Sequence, residues 1–300
     1  MATPPRPDRP ERPQVTQELR QLGRTGSHAV LDRRRFVECM AQVTGFSAAA
    51  VAANAMLDRT AKATIIATDD PRLTTSRATY TGATGEVDCY LAMPSDATVP
   101  LPAICVFHDD CGLEEHIEDV TRRLALTGFV VIAPDFLSPQ GGTPPTDAAA
   151  RRLIREAPAD ETLGDAVAAI RFLQTHPAST GKVGVTGSCW GGDLTHRAAV
   201  TVPELSAAVA WHGAPPPAED ATRITAPLML HHAEQDPRTT TIVADYAAVL
   251  EAAGVTYTLF VYEGVNEAFE DDTNQARYNP AAAALGWQRT IDFFKATLDT

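Results

Sequence analysis

Gly187-Ser-Cys-Trp-Gly191 sets a thiol between two glycines, directly after a buried-strand pattern over 182–186 and before a helical pattern over 193–202. This is the layout of a strand turning sharply into a helix. Such a turn projects its central side chain upward, and the backbone N–H groups at the helix start face a developing oxyanion. The chemistry implied is attack by Cys189 on a carbonyl carbon. Taken alone, Gly-x-Cys-x-Gly equally describes a buried structural cysteine beside a helix-packing glycine. The strand before it and the helix after it favour the functional reading.

The elements that must position this thiol alternate regularly. Residues 77–80 and 87–93 read as an opening strand pair, and 103–107 as a central buried strand. Ile117, Val120 and Leu124 recur at helical spacing, Gly128 ends that helix, and a strand follows at 129–133. Helical patterns at 148–156 and 163–175 precede the cysteine strand. Further strands fall at 207–211, 228–232 and 257–262, and a helix at 280–298 closes the chain. This alternation predicts an α/β architecture with a mainly parallel central sheet and helices on both faces. Sites in such sheets form beyond the carboxyl ends of strands. Residues 108–112, Cys189, 211–213, Asp236 and Glu267 should therefore share one rim. His231 and His232 end a strand and are expected to be structural.

Composition bounds the partners. The chain has 300 residues, 44% of them apolar, enough for one large core, which is placed at 69–300. A formal charge of −13 leaves no basic face for nucleic acid, so a small-molecule substrate is expected. The five cysteines (Cys39, Cys89, Cys105, Cys111 and Cys189) are odd in number and lack Cys-x-x-Cys spacing, which argues against a disulfide framework. Residues 1–31 are rich in Pro, Arg and Gln and read as a disordered extension. Within 32–68, Arg33-Arg34-Arg35-Phe36 precedes a small, apolar stretch ending in Ala53-Asn54-Ala55. That segment is either a twin-arginine-like export leader or an N-terminal helix, so the protein is either exported or cytoplasmic. No stretch beyond it is long enough to span a membrane. Oligomeric state is not expressed in the sequence.

Several segments in order resemble the dienelactone hydrolase family, in particular its longer members with such a leader, from about Asp32 to the C-terminus. They are Asp69-Asp-Pro-Arg-Leu73, Thr81-Gly-Ala-Thr-Gly85, His116-Ile-Glu-Asp-Val120, residues 187–192, and Arg277-Tyr-Asn-Pro-Ala281 leading into a helix that contains Trp287. The resemblance implies an α/β-hydrolase fold and a Cys-His-Asp triad acting on an ester or lactone. Cys189 matches the nucleophile and Asp236 the orienting acid. The histidine position departs from the pattern. Where the family has Tyr-x-Gly-x-x-His-Ala-Phe, this chain reads Tyr262-Glu-Gly-Val-Asn-Glu-Ala-Phe269, which puts Glu267 in the place of the imidazole. The family loop His-Glu-Asn-Arg-Gly-Leu, whose glutamate holds the resting thiol, is His108-Asp-Asp-Cys-Gly-Leu113 here, with Asp109 one methylene shorter. The resemblance assigns the oxyanion hole to the backbone N–H groups of Asp110 and Trp190. Four residues after Glu267, Asp271 replaces the arginine with which some members bind a substrate carboxylate, which disfavours an anionic substrate.

Carboxylates around Cys189 should raise its thiol pKa, and their crowding should raise one carboxyl in turn. Three readings follow. One is a hydrolase with an altered Cys189-Glu267-Asp236 site acting on a lactone, ester or related carbonyl compound. The second is a non-hydrolytic acid/base enzyme, such as a cyclase, isomerase or dehydratase. The third is a non-catalytic ligand-binding homologue. His212 is either a replacement base or a hydrogen-bonded strand-end histidine. Cys111 has no basic sequence neighbour and reads as inert. Cys189, His212, Asp236 and Glu267 include metal-ligand types, but no close pair has ligand spacing, so neither metal nor cofactor is expected.

Overall fold

A computed structural model describes residues 66–236 and 239–299. The disordered extension expected at 1–31, and the leader or helix expected at 32–68 save its last three positions, lie outside the described residues. Eight strands form one sheet: β1 (Leu73–Thr81), β2 (Glu86–Pro94), β3 (Leu101–Phe107), β4 (Val130–Pro134), β5 (Ser179–Ser188), β6 (Ala207–Trp211), β7 (Leu228–Ala233) and β8 (Tyr257–Tyr262). Their spatial order is β1-β2-β4-β3-β5-β6-β7-β8. β1 and β2 are antiparallel to each other, β2 is antiparallel to β4, and every later pairing is parallel.

The inner strands are buried from end to end, as parallel strands covered on both faces must be: Val-Val-Ile-Ala-Pro in β4, Ala-Ala-Val-Ala-Trp in β6 and Leu-Met-Leu-His-His-Ala in β7. One face is covered by α3 (Ala159–Thr175), α4 (Trp190–Thr201) and α5 (Thr239–Ala253), whose Ile170, Leu173, Leu194 and Leu250 join a single apolar cluster. The other face is covered by α1 (Glu115–Ala125) and α6 (Pro280–Leu298), through Ile117, Leu124, Phe293 and Phe294. A short helix, α2 (Asp147–Glu156), precedes α3.

Local chemistry sets the ends of these helices. Asn279 caps α6 by accepting from the Ala282 N–H at 3.0 Å, with Pro280 in the first turn. In α1, Glu115 and Glu118 sit at the start and Arg122 and Arg123 at the end, matching the helix dipole. Among the described residues, no helix is long and apolar enough to cross a membrane.

The strand order decides where a site can form. From β3 the chain runs to β4 on one side, then returns across β3 to β5 on the other. Crossovers leaving a strand pair in opposite directions open a crevice at its carboxyl end. At that end Phe107 lies beside Gly187 and Ser188 beside Trp211. His108, Cys189 and His212 are thus each the first residue beyond adjacent strands.

Candidate active site

Cys189 adopts φ 51° and ψ −113°, a left-side conformation that a side chain rarely occupies. The surroundings over-determine it. Its N–H donates to the Trp211 carbonyl (2.9 Å), and its own carbonyl accepts the Asp193 N–H (3.0 Å), which opens α4. Glycine is required on both sides because backbone passes against backbone. A Cβ on Gly191 would lie 2.4 Å from the Phe107 oxygen and 2.5 Å from that of His108, and one on Gly187 would lie 2.4 Å from the Gly191 oxygen. The elbow read from the sequence is therefore present.

The loop after β8 supplies the partner. The Cys189 thiol donates to Glu267 Oε1 at 3.2 Å, so the glutamate standing in the histidine position does face the sulfur. Two features aim it. Ala268 has φ 61°, which turns the chain between Glu267 and Phe269. Phe269 is fully buried, packed on Tyr262 (centroids 4.7 Å apart), His212 (5.3 Å) and Trp211 (6.0 Å). The second oxygen of Glu267 pairs with Arg277 Nη1 (3.4 Å), a half-exposed cation at the rim.

Asp236 is buried just beyond β7 at the same rim. Its segment is tied to the Glu267 loop, since the Gln235 N–H donates to the Val265 carbonyl (3.1 Å) and the Gly264 N–H to Glu234 Oε2 (2.8 Å). In the loop after β3, Asp109 Oδ1 accepts the Cys111 N–H at 2.7 Å. Fully buried His108 stacks on Trp190 (5.2 Å, 14° between planes) and accepts the Phe136 N–H on Nε2 (3.3 Å). The backbone N–H groups of Asp110 and Trp190 donate no hydrogen bond among the described residues. For Trp190 the helix geometry explains this, because first-turn N–H groups have no intrahelical acceptor.

The structure distinguishes the two readings of His212 and corrects the premise about Cys111. His212 is fully buried and its Nε2 meets Glu270 Oε2 at 2.9 Å, so of its two readings the hydrogen-bonded strand-end histidine describes this arrangement. Cys111 does have a basic neighbour: Arg151 of α2 donates to its sulfur (3.2 Å) and to Asp110 Oδ2 (3.2 Å). The sequence missed Arg151 because it lies forty positions away. His231 has the structural role expected of it, bonded to Tyr262 Oη (2.9 Å) and Thr290 Oγ1 (3.0 Å).

The sequence also missed Ser188 and Glu270. Ser188 Oγ donates to Glu270 Oε1 at 2.6 Å, so Glu270 joins Ser188 to His212 directly beside the elbow. The fold divides the acidic run 270–272. Glu270 turns inward, whereas Asp271 and Asp272 flank His116 of α1 at 3.7 and 3.5 Å, and Asp272 also accepts from Arg123 (2.5 Å). Asp271, in the place of the family's substrate arginine, is thus engaged by His116. Among the described residues, the clusters of metal-ligand type are Asp109/Asp110/Cys111 and His116/Asp271/Asp272, not the quartet around Cys189.

The electrostatics follow from burial and these carboxylates. Burial, then the charges of Glu267 and Glu270, push the Cys189 thiol far above its ordinary value, in the direction expected. Burial also raises the Asp109 carboxyl. For Glu270 burial acts the same way but is outweighed by His212 and the Ser188 hydroxyl, which hold it below the usual carboxylate range. The site at rest is a protonated thiol between two glutamates, one of them fixed as the anion.

The model of the dienelactone hydrolase family matches residues 87–298. This chain belongs to the dienelactone hydrolase family. An Escherichia coli K12 protein that carries the name carboxymethylenebutenolidase provisionally is 30% identical over 250 residues, covering 77% of this chain and 90% of that protein. An Aquifex aeolicus relative of the same provisional name is 33% identical over 220 residues, covering 70% of this chain and 93% of its own. The crystal structure of a provisionally named dienelactone hydrolase from Klebsiella pneumoniae superposes with a TM-score of 0.68 at 29% identity, over 74% of this chain and 98% of that one. A Pyrobaculum calidifontis esterase, 19% identical with a TM-score of 0.56 over 75% of this chain and 86% of its own, shares the α/β-hydrolase fold. Membership makes the protein an enzyme of hydrolase type with a small-molecule substrate.

Proposed function

We propose that the enzyme hydrolyses an uncharged ester or lactone with Cys189 as nucleophile and Glu267 as its proton acceptor. The observation that carries this reading is the 3.2 Å hydrogen bond from the thiol to Glu267, made from the position where the family has its histidine. In the first step the sulfur bonds to the carbonyl carbon while its proton passes to Glu267. The carbonyl oxygen becomes an oxyanion facing the Asp110 and Trp190 N–H groups. Collapse breaks the carbon–oxygen bond, and the leaving alkoxide takes the proton back from Glu267, leaving a thioester. Glu267 then accepts a proton from water as the water attacks, and the second collapse releases the acid and restores the thiol. Because the thiol resists ionisation, attack and proton transfer have to be concerted. Asp236 is assigned a positioning role through its segment's bond to the Glu267 loop. The acidic groups at the rim favour an uncharged acyl substrate over a carboxylate.

A second reading, enolisation or isomerisation without a covalent intermediate, draws support from Asp109, whose carboxyl is raised by burial and would supply an acid to pair with Glu267 as base. Trapping separates the two. In the hydrolase reading, quenched turnover of p-nitrophenyl acetate yields an acyl group on Cys189, and Cys189→Ala abolishes it. Glu267→His restores the family base and raises ester turnover by roughly 10²-fold or more. Absence of acylated Cys189 together with indifference to Glu267→His would reject the hydrolase mechanism.

A further inference from the structure

Ser188, Glu270 and His212 form a connected buried unit that the mechanism above does not use. His212 Nδ1 has no partner among the described residues, and an N–H left there would be an unsatisfied buried donor. Nε2 lies 2.9 Å from a carboxylate oxygen, which can only accept, so Nε2 must carry a proton there. A carboxylate can only accept, so Glu270 takes the ring proton on one oxygen and the Ser188 hydroxyl proton on the other, at 2.6 Å. Ser188 has one hydroxyl proton, and this bond commits it. The same hydroxyl oxygen lies 3.8 Å from Cys189 Sγ. With its proton directed at Glu270, it presents lone pairs to the sulfur.

We infer that Ser188, Glu270 and His212 are positioning residues for Cys189: by turning the Ser188 proton away from sulfur, they deny the thiolate that donor and leave the thiol proton directed at Glu267. This deepens the hydrolase reading and rests on Cys189 being the reacting group. Donated to the sulfur, the Ser188 hydroxyl would lower the thiol, but the far shorter 2.6 Å bond to Glu270 claims its single proton. Glu267 approaches from the loop after β8 with Arg277 behind it, and Ser188 stands at the end of β5 with Glu270 behind it. Around Glu270 stand His212, Ser188 and the Tyr262 phenol. No cation touches the sulfur directly in this set. The consequence is a nucleophile kept protonated, and hence unreactive toward soft electrophiles and oxidants, until a carbonyl is in place.

The test reads the pH profile of iodoacetamide alkylation at Cys189 in the full chain, by mass spectrometry, and needs no turnover. It therefore fails or succeeds independently of the ester assay. Glu270→Gln should free the Ser188 proton and lower the alkylation midpoint by about one unit or more. Ser188→Ala removes an oxygen that was not donating and should leave the midpoint within about half a unit of wild type. In Ser188→Ala/Glu270→Gln there is no hydroxyl proton to turn, so most of the Glu270→Gln shift should vanish. An unchanged midpoint in Glu270→Gln, or a double variant shifted as far as Glu270→Gln alone, overturns the inference; the latter result would mean that charge acts without Ser188. If Glu270→Gln does not fold, Ser188→Ala still decides. A midpoint raised by a unit or more would show that the hydroxyl had been serving the thiolate.

Discussion

Replacing Glu267 by Gln should make the enzyme less active and its cysteine more reactive at once. The two effects have different origins. A unit charge 3.2 Å from the sulfur disfavours the thiolate by about 1.3 kcal/mol at the dielectric of water and about 5 kcal/mol at an effective value near 20. About 1.4 kcal/mol moves a pKa by one unit, so neutralising Glu267 should lower the thiol by about one to four units. A less basic thiolate is also less nucleophilic, which cancels roughly half of the logarithmic gain, so alkylation near neutral pH should accelerate about threefold to more than a hundredfold. Turnover moves the other way, because the amide cannot take the thiol proton or return it to the leaving group. Loss of a general base costs roughly 10²- to 10⁴-fold. The assay pairs kcat/KM on p-nitrophenyl acetate with the iodoacetamide rate on the same samples. If Glu267→Gln lost activity and alkylation slowed with it, the carboxylate would be stabilising the thiolate and the electrostatic argument would be wrong. If neither rate changed, Glu267 would not face Cys189 in solution.

Three further outcomes follow from the fold. His116 has its pKa raised: burial opposes this, but Asp272, Asp271 and Glu114 prevail. Its contribution to stability is therefore full below the unfolded histidine value of about 6.5 and is lost as pH rises through the higher folded value. Urea unfolding across that window should show this decline in wild type and a flatter profile in His116→Gln. Gly191→Ala forces a methyl against two carbonyl oxygens at 2.4 and 2.5 Å; it should cost about 1–3 kcal/mol or more in denaturant unfolding and abolish ester turnover together with the elbow. Phe269→Ala empties a fully buried site at about 3–5 kcal/mol and releases the loop that aims Glu267 and Glu270, so kcat should fall even where the variant is folded. A folded Phe269→Ala variant with wild-type kcat would show that this side chain does not position the loop.

The order of elements, the elbow at Cys189 and the substitution at 267 were legible in the sequence, because each rests on short-range information. Periodicity marks strands and helices, two glycines mark a backbone crossing, and the preserved spacing of Tyr262, Gly264, Ala268 and Phe269 places Glu267 without any coordinates. Which groups stand against the sulfur is a different kind of fact. Glu270 reaches Ser188 over 82 positions and His212 over 58, and Arg151 reaches Cys111 over 40. No local pattern encodes such meetings. Three acids in a row look alike as a string, and only the left-handed turn at Ala268 and the packing of Phe269 send Glu270 inward while Asp271 and Asp272 go to His116. The residues proposed here as the reacting groups, Cys189 and Glu267, were thus visible in the chain. Their protonation was decided by tertiary structure, because burial and the distance between charges exist only once the strands are side by side.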